Sequence, residues 1–74
     1  MVSASTMIDV LRANGFEQKR RRGSHVFFRH PDGRTAVVPV HPGEDLGRGI
    51  VSKILKDSEI PRDRFLKGLG AKYR

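Results

Sequence analysis

The stretch KRRRGSHVFFR, Lys19 to Arg29, holds the residues best suited to chemistry. Four consecutive cations, Lys19 to Arg22, run into Gly23, Ser24 and His25, and the chain then turns apolar. Histidine is the side chain that titrates near neutrality without perturbation, so it can move a proton at physiological pH. Guanidinium groups bind phosphate oxygens and stabilise charge that develops on them. Gly23 lets backbone come close to a ligand, and Ser24 offers a hydroxyl to orient it. Together these types suit RNA cleavage: a neutral imidazole takes the proton from a ribose 2′-hydroxyl, and the oxygen attacks the adjacent phosphorus. The bland alternative is a solvated hairpin edge, since a Gly-Ser-His tripeptide carries no intrinsic reaction and charge runs commonly serve as solvated faces.

The other histidines invite plainer readings. His30 precedes a proline at a strand end, and His41 sits in a loop. The carboxylates do not form a metal cluster by number or spacing, with Asp32 in a turn and Glu44 and Asp45 adjacent in a loop, so no metal site and no cofactor are expected. The glycine-rich LGRGI, Leu46 to Ile50, enters a helix and could present free N–H groups to a phosphate, or simply serve as turn and N-cap.

Local elements must position this set. A helix is predicted over Thr6 to Asn14, with Thr6 and Asp9 spaced as a capping box, an apolar face of Met7, Ile8, Val10 and Leu11, and Gly15 as its stop. Phe16 to Arg22 reads as a poorly hydrophobic edge strand and Ser24 to His30 as a better one. Pro31-Asp32-Gly33 is a turn, and Thr35 to Val40 completes a hairpin whose Pro39 argues for an edge or a strand end. His41 to Gly49 reads as a loop. A second helix is expected from Ile50 to Glu59. Pro61 starts a short third one, in which Phe65, Leu66 and Leu69 dock, ahead of a frayed basic tail from Gly70. The order is helix, three strands, helix, short helix, and the economical solution is α+β: helices on one face of a three-stranded antiparallel sheet, the other face open.

Strand alternation puts Arg20 and Arg22 on one side, Lys19 and Arg21 on the other, so at most half the cationic block meets one ligand. Arg29 and Arg34 extend the patch. His25, Phe27 and Arg29 share a face, while Val26, Phe28 and His30 share the opposite one. Each face carries a phenylalanine, so alternation leaves the core face open, and a bulge at Gly23 would shift the count. Phe27 is expected in the core, with a base-stacking role as the alternative.

Composition bounds the partners. Seventy-four residues make one domain, 1–74, whose folding buries only about 60% of its surface. Fifteen Lys and Arg against eight Asp and Glu give a net charge of +7, which points to a polyanion, most often nucleic acid. There is no cysteine, which fits a reducing cytosol. The longest apolar run, Ala36 to Val40, is far short of a membrane span, and the N-terminus lacks the pattern of a signal peptide, so a soluble, intracellular protein is expected.

In order and spacing, Gly15-Phe16, RGSH at Arg22 to His25, HPDGR at His30 to Arg34, VVPVHPG at Val37 to Gly43 and Gly49 to Leu55 resemble the HicA family of bacterial and archaeal toxins. The resemblance covers about Ser5 to Phe65. It implies a compact double-stranded-RNA-binding-domain-like fold, α-β-β-β-α, and the activity of an mRNA interferase that cleaves RNA, blocks translation and arrests growth without a metal cofactor. It places the catalytic histidine at His25 and implies a HicB antitoxin that masks the site. Where the family often has Gly-Thr-Leu, this chain has Gly49-Ile50-Val51, which leaves only the backbone of position 50 to serve a cap or a phosphate contact. The expectation is an endoribonuclease toxin, a monomer when free. His25 acts as general base, or as acid toward the leaving oxygen. Lys19, Arg20, Arg22, Gly23, Ser24 and Arg29 bind RNA. A non-catalytic RNA-binding module of the same fold, or a basic face built for an acidic protein, are the rivals.

Overall fold

In the computed structural model, which describes residues 2–72 and side chains through 67, three helices and five strands follow one another. They are β1 (Val2–Ser3), α1 (Ala4–Ala13), β2 (Glu17–Arg22), β3 (His25–Arg29), β4 (Thr35–Pro39), β5 (Asp45–Leu46), α2 (Arg48–Ser58) and α3 (Arg62–Lys72). β2, β3 and β4 form an antiparallel sheet in that spatial order, and β1 pairs with β5. The fold is the expected α+β arrangement of helices against a three-stranded antiparallel sheet.

The first helix starts earlier than the Thr6–Asp9 spacing predicts. Ser3 is its N-cap: the Thr6 N–H donates to Ser3 Oγ over 3.1 Å, and Ser3 Oγ also bonds the Thr6 hydroxyl at 2.8 Å. Thr6 itself is buried within the first turns, so the cap lies three residues upstream of where the sequence suggested it. The other end is as read. Gly15 takes φ 91°, the left-handed conformation that closes a helix.

Met7, Val10 and Leu11 of α1 pack with Phe16, Val26, Phe28, Ala36 and Val38, with Ile54 and Leu55 of α2, and with Phe65 of α3. This fixes the core face of the sheet: Val26 and Phe28 point in, Phe27 points away. Phe27 is half-buried on the open face, which corrects the expectation that it sits in the core.

Three further boundaries move. The stretch expected as one loop from His41 to Gly49 contains β5, which pairs Leu46 with Val2 and Asp45 with Ser3. α2 begins at Arg48 rather than Ile50, with Gly47 as N-cap and no side-chain cap bond, and ends at Ser58, since Glu59 is left-handed at φ 57°. α3 is seated by Phe65, whose N–H donates to the Pro61 carbonyl, while Leu66 is 55% exposed and does not dock. The side chain of Leu69 lies outside the described residues. The backbone stays helical to Lys72, past the point where fraying was expected; the last two residues are outside the description. Among the described residues no helix is long and apolar enough to cross a membrane.

Candidate active site

The site is built by the β2–β3 hairpin. Ser24, expected in the strand, is instead a turn residue. Arg22 pairs with His25, so Gly23 and Ser24 form a two-residue loop. Gly23 has φ 59° and Ser24 does not have positive φ, the arrangement of a type II′ turn, which matches the twist of the flanking strands. A Gly-Ser dipeptide between two strand-like runs is the signal that identifies such a turn. Gly23 is therefore required by the backbone path; a Cβ there would meet nothing within 4 Å. Its carbonyl accepts from Arg21 Nε at 3.0 Å, which ties Arg21 back onto the turn. The Ser24 carbonyl accepts the Val40 N–H.

Register then decides which groups meet. Directly opposed residues of an antiparallel pair project to the same face. On the open face three rows result: Arg22, His25 and Pro39; Arg20, Phe27 and Val37; Glu17, Arg29 and Thr35. His25 is exposed, and among the described residues its ring makes no side-chain hydrogen bond or ion pair. It stands at the rim of the sheet, directly opposite Arg22 on the neighbouring strand and next to the turn.

β2 carries a bulge. Gln18 faces Phe28 and Arg20 faces Phe27, so Lys19 is the extra residue between them. The bulge lies at Lys19 and not at Gly23, and it overturns the parity reading of the cationic block. The Lys19 ammonium is 3.5 Å from Glu17, on the Arg29 side of the sheet, and it lines the same depression as Arg20, Phe27, Arg29, Thr35 and Val37. Three of the four consecutive cations thus serve the open face, and only Arg21 is diverted. Alternation alone could not reveal this, because the run has no apolar residue to mark a slip.

Arg20 lies over Phe27, its guanidinium carbon 4.6 Å from the ring centroid, a cation–π stack. Arg29 is exposed in the third row. Arg34 does not extend the patch. Its Nε donates to both oxygens of Asp32, at 3.1 and 2.8 Å, and its Nη1 donates to the Ser58 carbonyl at 2.7 Å. That clasp ties the β3–β4 turn to the end of α2.

The structure brings His25, Arg22, Arg20, Lys19 and Arg29 onto one face, with Gly23 and Ser24 forming the turn at its rim. His30 is separate: its ring meets Phe16 edge-on at 5.2 Å and its Nδ1 lies 3.0 Å from Asp32 Oδ1. His41 is exposed in the loop after β4. Among the described residues no three histidine or carboxylate side chains converge.

The model of a family described as HicA toxin of bacterial toxin–antitoxin systems matches residues 4–60. The chain belongs to the HicA toxin family. A comparison with curated proteins finds no match. The HicA match runs from the start of α1 to the residue before Pro61, so it includes the whole sheet, the His25 rim and α2. As a HicA toxin, the protein is the toxic member of a pair whose other member is an antitoxin.

Proposed function

We propose that this HicA chain is an endoribonuclease acting on mRNA, with His25 as its proton-transfer group. The observation that carries the reading is the Arg22–His25 pairing, which sets a guanidinium beside an exposed, unengaged imidazole on the cationic face. In the base role, neutral His25 accepts the proton of a ribose 2′-hydroxyl. The 2′-oxygen then bonds to phosphorus, the bond from phosphorus to the 5′-oxygen breaks, and a proton ends on that oxygen. The products are a 2′,3′-cyclic phosphate and a 5′-hydroxyl. In the acid role, the imidazolium gives its proton to the leaving 5′-oxygen. Either way the phosphate gains negative charge in the transition state, and Arg22, Arg20 and Lys19 supply donors for it. The chemistry needs no metal. A HicB-type antitoxin covering the open face would block it, and its release would arrest growth.

The test is cleavage of a short RNA by the native chain and by His25→Ala. The variant is expected to cut about 10²–10⁴-fold more slowly while its thermal midpoint and RNA affinity stay the same. Replacing the cleaved ribose by deoxyribose is expected to stop cleavage by the native chain. Equal cutting of the deoxy substrate, or unchanged cleavage by His25→Ala, would exclude the mechanism. Salt-dependent RNA binding with no product at all would favour the non-catalytic module.

A further inference from the structure

The open face is not uniformly cationic. Across its middle runs an apolar row, Phe27 opposite Val37, with Val37 36% exposed. Phe16, Phe28 and Phe65 are all buried, so Phe27 is the phenylalanine the fold leaves at the surface. The row floors a shallow depression of about 460 Å³ rimmed by Lys19, Arg20, Arg29 and Thr35. That volume lies within the range of small-ligand sites.

We infer that Phe27 is a nucleobase platform, on which one unpaired base of single-stranded RNA stacks while its phosphate reaches the Arg22–His25 row. The inference rests on the RNA reading of the same face. Three features support it. First, one face of the ring meets a side chain from the surface and not the core: the Arg20 guanidinium carbon lies 4.6 Å from the Phe27 centroid, on a long side chain that can move aside. A base can take that place, with Arg20 moving to the base's outer side or to a phosphate. Second, rows on one face of a strand recur every two residues, about 6.7 Å apart, so the base row and the proton-transfer row are one row apart, within the span of a single nucleotide. Third, the surrounding charge fits the backbone such a base would bring: Lys19, Arg20, Arg22 and Arg29 oppose a single carboxylate, Glu17, across the three rows. An acidic peptide would answer the charge but leave Phe27 and Val37 without a matching flat partner. A duplex would answer the charge while keeping its base faces hidden.

The chain contains no tryptophan, so Phe27→Trp installs a single reporter on the platform. It is made together with His25→Ala, so that bound RNA stays intact. Binding of a short single strand is expected to quench the indole emission, and the same sequence as a duplex is expected to leave it largely unquenched. Phe27→Leu, which keeps apolar bulk and removes the π face, is expected to weaken single-strand affinity about 10-fold with little change in salt dependence. Equal quenching by duplex, or undiminished affinity of Phe27→Leu, overturns the platform. If the platform results hold while the native chain yields no cleaved RNA, the nuclease reading falls and the platform stands. If cleavage holds while Phe27→Leu binds as tightly as the parent, the reverse follows. Absence of binding to either RNA overturns both.

Discussion

His25 opens the five-residue strand β3 and His30 directly follows it, and the fold treats them oppositely. The His30 ring is half-buried among its neighbours. It stacks edge-on against Phe16 and lies where a Cβ on Gly15 would come within 2.8 Å of its Nε2. Its Nδ1 also accepts the Asp32 N–H at 3.1 Å. His25 has no such neighbours and faces solvent beside Arg22. At one end of the strand imidazole is a packing and turn-forming group. At the other it is held ready by backbone alone. The residue type says nothing about which is which; the partners do.

That contrast can be broken by exchanging the damage. His25→Ala is expected to lose cleavage by about 10²–10⁴-fold with stability changed by less than about 0.5 kcal/mol. His30→Ala is expected to do the reverse, losing about 1–2 kcal/mol while the folded fraction still cleaves. Paired cleavage and denaturation measurements decide it, and a large stability loss in His25→Ala would show that the rim histidine is structural after all.

The two faces of the sheet give a second contrast. Phe28→Ala removes a fully buried ring and is expected to cost about 3–5 kcal/mol. Phe27→Ala, one residue earlier, loses only a surface stack with Arg20 and is expected to cost about 1 kcal/mol. Equal costs in urea unfolding would mean that the open face is covered in the free protein.

Gly15→Ala sharpens the His30 side. A side chain there must adopt φ 91° and push against the imidazole, and the expected loss is about 2 kcal/mol. The loss should shrink in a His30→Ala background, because the clash with the ring is then gone and only the positive-φ strain remains; a double-mutant cycle measures the coupling.

Smallest is a pH effect at the same end. The Arg34 backbone N–H, donating to the Asp32 carboxylate, lowers the Asp32 pKa, and the Arg34 guanidinium adds to this. A carboxylate lowered by folding contributes stability that is present above its unfolded value of about 3.9 and is lost as pH falls through the lower folded value. Asp32→Asn is therefore expected to lower stability slightly at neutral pH, to match the parent once pH has fallen below the folded value, and so to flatten the acid limb of the stability profile. A steeper acid limb in the variant would contradict the Arg34 clasp.

Much of this was legible in the sequence where a residue has one physical use. Pro31-Asp32-Gly33 could only turn, Gly15 could only stop α1, and a run as polar as Glu17–Arg22 could only be an edge, as every residue of it proves to be exposed. Gly23-Ser24 was also decisive in principle, because a hairpin loop of that type sets the register of everything after it. Because each face of β3 carries a phenylalanine, alternation left the core face undecided between Phe27 and Phe28. Other features depended on partners distant in the chain. Ser3 caps α1 while pairing with Asp45, and β5 exists only because β1 lies alongside it. No local pattern in two-residue strands announces such pairing. The site followed the same rule: His25 and its cations were readable as types, but their common face depended on a bulge inside a homogeneous charge run.

A regular strand divides its side chains evenly between front and back, so charge added to it by lengthening a basic run is half wasted on the wrong side. The supernumerary Lys19 in β2 escapes that division. By spending one backbone pairing it turns an even split into a three-to-one bias toward the open face, a gain in local field that no exchange of one basic residue for another within a regular ladder can produce.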